Sequence, residues 1–333
     1  MTGFVSTTPG LYPLPDWAKD ELKSLKGNQK TDLISGDEGP EVADAYETVR
    51  EEYITTQQEA GLDRIVEGQG RWDDMLAHPL AVHDNVDTRG IVRYYDNNNF
   101  YRESVVTGEL TPSGDVAAEL DAARNLIGDD EALQAVLPGP YSLADLATDE
   151  YYGDDEEFLT AIAEFLASEA EEAGEVETTF LLEPSLVENP PEDGEDERAG
   201  NAIDTVAQAA GGDVVVFPYW GALEEKVYAH VMDAAIDGLG FDLVSDSDAN
   251  VYNAQEYGTP DQVALGVVDG QNTLVESPEV IQERVEWFDE QTPQNDYETI
   301  YATTNTETFY LPVNRFEEKL EALAAAAELE VTA

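Results

Sequence analysis

Eight short, almost unbroken apolar runs punctuate this chain: "FVSTT" (4–8), "DRIVEG" (63–68), "LQAVLPG" (133–139), "TTFLLEP" (178–184), "DVVVFPYW" (213–220), "GFDLVSD" (240–246), "VALGVVDG" (263–270) and "TIYATTN" (299–305). Each is too short for a stable helix and rich in β-branched and aromatic residues, the pattern of a strand buried on both faces. Between them, polar and apolar positions alternate at helical spacing over 41–60, 115–126, 155–173, 198–210, 222–236, 278–290 and 314–328. "SPEVIQERVEWF" opens with serine and then proline, a good N-cap and first-turn pair. Buried strands alternating with helices imply a parallel sheet covered by helices. Eight such units predict an α/β fold, a closed (β/α)8 barrel of the TIM type, with an open doubly wound sheet as the alternative.

Two segments break the alternation. "DTRGIVRYYDNNNFYRESVVTGEL" (87–110) is aromatic and polar and predicts an excursion inserted into the barrel. "VENPPEDGEDERAG" (187–200) is rich in proline, glycine and acid and predicts an exposed loop. No repeat at a solenoid period is present. No composition break divides the chain, so 1–333 reads as a single barrel domain. Active sites of such barrels lie at the C-terminal ends of the strands. Those ends carry Glu67, Glu183, Tyr219-Trp220, Asp246, Asp269-Gly270 and Asn305. Asp269 is then either a ligand contact at the mouth or an ordinary Asp-Gly turn.

Charge changes the picture of where such a barrel works. There are 73 acidic and 16 basic residues among 333, a net of −57, yet 42% of the chain is hydrophobic. Disordered acidic chains are poor in apolar residues, so this one folds. A fold so acidic repels itself at low salt. Salt near 1 M shortens the Debye length to about 3 Å and relieves that repulsion. The expected setting is therefore a halophilic cell with molar internal salt. Nucleic acid is excluded as a ligand, because phosphate binding needs basic clusters. The chain has no cysteine, hence no disulfide and no thiolate ligand. "MTGFVSTTPGLYPLP" lacks the basic start and apolar core of a signal peptide, and no apolar run approaches the ~20 residues of a membrane helix. A soluble, cytoplasmic protein is expected.

Ten of the sixteen basic residues fall within 19–102. Lys19, Lys23 and Lys26 are spaced to share one helix face. The cluster is either an anion site for a ligand's carboxylates or phosphates, or local balance against neighbouring acids. Other motifs carry less. Glu67, Glu183 and Asp269 suggest a glycosidase-like carboxylate pair, but strand-end carboxylates are expected by chance among 73 acids. His78 and His83 are five apart, one too many for a helical ligand pair, and read first as surface or capping residues. "EDGEDE" (192–197) lacks the alternating ligands of a calcium loop.

"LGVVDGQN" (265–272) and "RYYDNNNFY" (93–101), with "YWG" (219–221), "GLGFDLV" (238–244), "TNTETFYLPVNRFEEKL" (304–320) and "YPLPDWAKDELK" (12–23), resemble the cobalamin-independent methionine synthase family. More narrowly, they resemble its N-terminal, non-catalytic barrel, and the likeness spans most of the chain. The resemblance implies a methyltransferase of methionine biosynthesis, joining a methyl donor, usually methyltetrahydrofolate with a glutamate tail, to homocysteine. In that family a zinc ion held by His, Cys, Glu and Cys makes the homocysteine thiol a thiolate, the attacking form. This sequence departs there. "FPYWG" (217–221) stands where the family has His-x-Cys, and Thr306 or a neighbour stands at its late cysteine. The resemblance therefore implies a zinc-free subunit of a split enzyme, with the zinc on a separate catalytic barrel and no metal on this chain. The family's tail-binding motif maps onto Asp20, Glu21, Leu22 and Lys23. Its arginine has become Asp20, while Lys19 and Lys23 keep positive charge. The lysine before its aromatic segment maps onto Arg93, a fork of donors suited to carboxylates, followed by Asp96 and Asn97. Asp269 completes the substrate-contact candidates. The weakened tail motif leaves the donor open between a folate-type molecule and a methyl-corrinoid. The rival reading is a non-catalytic binding or regulatory barrel of the same descent.

Overall fold

Each of the eight apolar runs becomes a strand. The computed structural model describes residues 3–26, 39–72, 74, 76–93, 95 and 100–329. Its strands are β1 (Val5–Ser6), β2 (Arg64–Val66), β3 (Val86–Arg93), β4 (Phe100–Val106), β5 (Ala132–Pro138), β6 (Ala147–Asp149), β7 (Thr178–Leu182), β8 (Asp213–Phe217), β9 (Gly238–Asp242), β10 (Gln262–Val268) and β11 (Thr299–Thr304). Eight of them form one parallel sheet in the order β1-β11-β10-β9-β8-β7-β5-β2. Sequential strands joined through helices and paired in parallel curl into a nearly closed barrel, as the strand pattern predicts. The inner face is filled, not hollow. Phe180, Phe217 and Tyr301 pack ring against ring with centroids 5.7 and 6.0 Å apart, and all three are fully buried.

Among the described residues no ladder joins β2 back to β1, and side chains carry the seam instead. Ser6 donates from both its backbone N–H (2.8 Å) and its hydroxyl (2.7 Å) to Asp63 Oδ2. The Thr7 hydroxyl donates to Gln134 Oε1 at 2.7 Å, and Gln134 Nε2 donates to the Thr8 carbonyl at 2.8 Å. Above them the Tyr12 N–H reaches the Gly68 carbonyl at 3.0 Å.

The aromatic excursion is a second sheet. β3 and β4 form an antiparallel hairpin, and β6 adds to β4 in parallel. Helices form the outer layer. Two of the longer ones, Asp16–Lys26 and Ser247–Tyr257, were not among the seven expected helical stretches, nor were the short helices His78–Ala81, Pro140–Asp145 and Ser185–Glu188. The acidic stretch 187–200 needs correction, because it is not all loop. A short helix covers Ser185–Glu188, and a longer one starts at Glu195 and runs to Ala207. The acids of "EDGEDE" are therefore partly a helix start. Asp196 accepts from the N–H groups of Gly194 and Glu197, both at 2.9 Å, and negative charge in a first turn favours the helix dipole. No helix among the described residues is long and apolar enough to cross a membrane.

Candidate functional site at the barrel mouth

The C-terminal ends of the strands gather buried acids and strained backbone. Among the described residues, four non-glycine residues have positive φ: Leu11 (50°), Gln69 (50°), Tyr95 (38°) and Trp220 (74°). Leu11, Gln69 and Trp220 follow β1, β2 and β8, and Tyr95 lies in the inserted hairpin. Such conformations cost on the order of 1–3 kcal/mol each and persist where surrounding structure enforces them, often at functional sites.

On the β2 side the charges are paired. Arg50, buried on the helix Pro40–Ala60, donates from Nε to Glu67 Oε1 at 2.8 Å and also bonds Glu119. The Gln69 N–H donates to Glu67 Oε2 at 2.6 Å. Arg71 bridges Asp115 (2.7 Å) and Glu119 (3.1 Å). His78 Nε2 lies 3.0 Å from Asp115, with its ring stacked on Trp72. Burial, with the Glu119 charge close by, pushes Glu67 above the ordinary carboxylate range, against the pull of Arg50. Burial works the same way on Asp115, but His78 and Arg71 overcome it and hold Asp115 at about 2. Arg50 and Arg71 thus balance neighbouring acids locally. His83 is also structural. Its Nδ1 accepts from the Asn85 N–H at 3.0 Å, and its Nε2 lies 2.9 Å from the Thr111 carbonyl oxygen and 3.1 Å from the Thr111 N–H.

The β7 end is held differently. Glu183 is fully buried, and its carboxylate accepts from the Tyr141 N–H (3.0 Å), the Ser142 N–H (2.8 Å) and the Ser142 hydroxyl (2.6 Å). A Cβ at Gly139 would stand 2.1 Å from that carboxyl group, so only glycine lets the β5 turn wrap around it. Burial raises Glu183 to about 7 despite these donors.

The β8, β9 and β11 ends form the centre of the mouth. The Trp220 N–H donates to Asp242 Oδ2 at 2.9 Å, and Asn305 Nδ2 reaches the same oxygen at 3.2 Å. The rings of Tyr219 and Trp220 meet edge-on at 4.8 Å, and Tyr95 meets Trp220 at 5.3 Å. The Tyr95 hydroxyl lies 2.6 Å from Ser185 Oγ. The inserted hairpin is therefore fastened over the mouth by its aromatic residue. Glu307 is buried and bonded by the Thr306 hydroxyl, and burial raises it to about 7.

The expected contact residues are spread over different units. Lys19, Asp20 and Glu21 are exposed on the helix Asp16–Lys26, where Lys19 lies 3.4 Å from Asp16. Lys23 is on the same helix. Arg93 is exposed at the end of β3. Asp96 and Asn97 lie outside the described residues. Asp269 caps its own turn, its Oδ1 accepting from the N–H groups of Gln271 (2.9 Å) and Asn272 (3.1 Å). Its N–H bonds Glu276, which in turn accepts from the buried Lys319 at 2.7 Å. Gly270 follows because a Cβ there would stand 2.5 Å from the Thr306 carbonyl oxygen and 2.8 Å from that of Glu307. Tyr95, Asp242 and Glu307 were not singled out as site residues from sequence, and Tyr219 stood out only as a strand-end residue. Their signal was position alone, since Asp242 ends β9 and Tyr219 and Glu307 lie just beyond β8 and β11.

The donor set does not fit a thiol-activating zinc. Where the resemblance places soft ligands, the ends of β8 and β11 offer Tyr219, a phenol that burial holds well above its usual pKa, and the hydroxyls of Thr306 and Thr308. Zinc of that kind is held by thiolate and imidazole. No group of three His, Asp or Glu side chains among the described residues is placed to hold a metal ion.

Residues 82–293 match the family described as the cobalamin-independent synthase, N-terminal domain. A methionine synthase of Sulfolobus acidocaldarius is 21% identical over 286 residues, 85% of this chain and 80% of that protein. A 5-methyltetrahydropteroyltriglutamate–homocysteine methyltransferase of Salinibacter ruber is 24% identical across 78% of this chain, which spans only 38% of that longer protein. In fold, the chain is similar to a B12-independent methionine synthase of Shewanella sp. W3-18-1, with a TM-score of 0.76 at 19% identity over 97% of this chain and 96% of that one. A putative vitamin-B12 independent methionine synthase of Listeria monocytogenes superposes at 0.72 with 17% identity over 98% of both.

Proposed function

The chain belongs to the cobalamin-independent synthase N-terminal domain family, and on that premise we propose that it serves methionine biosynthesis as the zinc-free, donor-binding half of a split methyltransferase. The observation that carries this reading is the pair of strand ends at β8 and β11. They bear Pro218-Tyr219-Trp220 and Thr306-Glu307-Thr308, in a chain without cysteine. A homocysteine thiolate must then be raised elsewhere, on a separate zinc-bearing barrel, and this chain contributes by holding the methyl donor. Lys19, Lys23 and Arg93 supply the positive charge for an anionic donor, folate-type or corrinoid, with Asp20, Glu21, Asp96, Asn97 and Asp269 as neighbouring contacts. The net charge of −57 supports a working medium of molar salt inside the cytoplasm.

The test is methionine formation from homocysteine and a methyl donor in molar KCl, with this chain alone, the zinc-bearing barrel alone, and the two mixed. The expected result is turnover by the mixture well above either component. Equal turnover by the zinc protein alone overturns the split-enzyme reading. Donor binding to this chain without any effect on turnover favours a regulatory barrel. Alanine at Lys23 and Arg93 should weaken donor binding, and unchanged affinity removes the anion site.

A further inference from the structure

Glu307, just beyond the end of β11, is 2% exposed, and its Oε1 has no hydrogen-bond partner among the described residues. Its other carboxyl oxygen is bonded by the Thr306 hydroxyl. Beyond β8 stands Tyr219, fully buried, with Glu307, Tyr95 and Glu183 as the titratable groups around its hydroxyl. At the end of β9, Asp242 accepts from Asn305 Nδ2 at 3.2 Å and from the N–H groups of Trp220, Val244 and Ser245. On the loop after β10, the Gln271 side chain approaches Glu307. Asp269 caps its own turn there, and Glu276 takes the buried Lys319 at 2.7 Å, with Arg284 at 3.8 Å. Among the described residues, no cation bonds Glu307.

A buried carboxyl group with one donor and no counter-charge holds its proton, because ionisation without water or a cation is too costly. Glu183 is the contrast. Three donors meet its oxygens, so an ionised Glu183 is served where it stands. We propose that Glu307 is a pH-operated seal of the barrel mouth: with its proton it lets the ends of β8 and β11 lie closed, and without it they part to admit water. Ionised Glu307 needs donors on Oε1, and the closed mouth has none there. Water reaches it when the Gln271 side chain or the Tyr219 ring gives way. Gln271 is exposed, and the Tyr219 ring leans edge-on against Trp220 at 4.8 Å. Trp220 is held in a left-handed conformation, φ 74°, which close packing must enforce and a loosened mouth releases. The opening is local, since the β10–β11 ladder around Ala264 and Tyr301 contains none of these groups. This inference stands apart from the split-enzyme reading and needs no partner protein.

The experiment is hydrogen exchange of the whole chain across about pH 4 to 8 in molar KCl, which screens the general charge, corrected for the intrinsic change of exchange with pH. The reporters are the Trp220 N–H, bonded to Asp242 Oδ2 at 2.9 Å, and the Gly270 N–H, bonded to Asn305 Oδ1 at 2.9 Å. The amides of Ala264 and Tyr301 are the reference for global unfolding. Burial moves Glu307 from 4.5 to about 7, so the open form gains as pH rises between those values. Protection of the reporters should fall by about tenfold per pH unit across that window and level off on either side, as one proton requires. It should stay below that of the reference amides throughout. Glu307→Gln, which keeps the shape without the charge, should abolish the fall, while Glu183→Gln keeps it. Thermal unfolding checks that both variants fold, and the wild-type profile tests the proposal without them. A flat wild-type profile overturns it, as do reporters no less protected than the reference amides. A fall that survives in folded Glu307→Gln, or vanishes in folded Glu183→Gln, overturns it too.

Discussion

The two sides of the barrel mouth treat buried charge in opposite ways. Beside β2, Glu67 sits within a chain of carboxylates and guanidinium groups, with Arg50 and Arg71 shared between Glu67, Glu119 and Asp115. Beside β8 and β11, Glu307 and Asp242 have hydroxyl, amide and backbone donors but no cation among the described residues. Both sides are dry. The paired side spends two of the chain's few arginines on holding the outer helices to the barrel. The unpaired side leaves the Tyr219 hydroxyl and Glu307 Oε1 without a partner among the described residues.

The comparison can be broken most directly at Arg50. Arg50→Ala leaves Glu67 and Glu119 buried without their counter-charge and should cost about 3–5 kcal/mol, read from denaturant unfolding in molar KCl. A loss below 1 kcal/mol would mean that the paired side is not holding the fold. Next in size is Gly270→Ala. Its Cβ has no room beside the Thr306 and Glu307 carbonyl oxygens, and displacing that backbone should cost about 1–3 kcal/mol, seen as a lower Tm. The pH dependence works group by group, because burial raises Glu67 on the paired side as well. Glu183 and Glu307 are both raised by burial, from 4.5 to about 7. The folded state therefore binds protons that the unfolded state has already released. Stability is full below about 4.5 and falls as pH rises through about 7, each group contributing a slope of at most about 1.4 kcal/mol per pH unit. Glu307→Gln should flatten that fall by one group's share. A variant with the wild-type slope between pH 5 and 8 would show that Glu307 is charged throughout. The smallest effect belongs to Lys19. Its exposed pair with Asp16 should contribute no more than about 0.5 kcal/mol to stability, so Lys19→Ala tests donor affinity with the fold intact.

The barrel was legible because its strands are buried on both faces, and burial on both faces leaves a run of apolar letters. The helix Ser247–Tyr257 was not legible for the converse reason. It buries Asn250 and Asn253 alongside Val251 and Ala254. Asn250 Nδ2 reaches the carbonyls of Gly221, Asp242 and Asp246, and Asn253 Nδ2 reaches that of Leu223. A helix that docks through side-chain amides shows no apolar stripe. The site was half legible. Glu67 and Glu183 stood out as acids at strand ends, but nothing local distinguishes a carboxylate that meets Arg50 from one that meets only hydroxyl and backbone donors. That depends on which helix packs beside which strand. Tyr95 was hidden for the same reason, since its reach to Ser185 and Trp220 is set by how the hairpin folds back over the barrel.

The seam of the barrel also bears on the order in which the molecule assembles. Among the described residues β1 pairs with β11, through Val5 with Tyr301 and Ser6 with Ala302, a ladder between strands far apart in sequence. Contacts so distant in sequence form slowly, because the intervening loop must close first. The seam between β1 and β11 is therefore expected to close late in folding. A two-residue ladder, reinforced by Asp63, Thr7 and Gln134, suits a late arrival, since it asks for little register and is locked by side chains already in place.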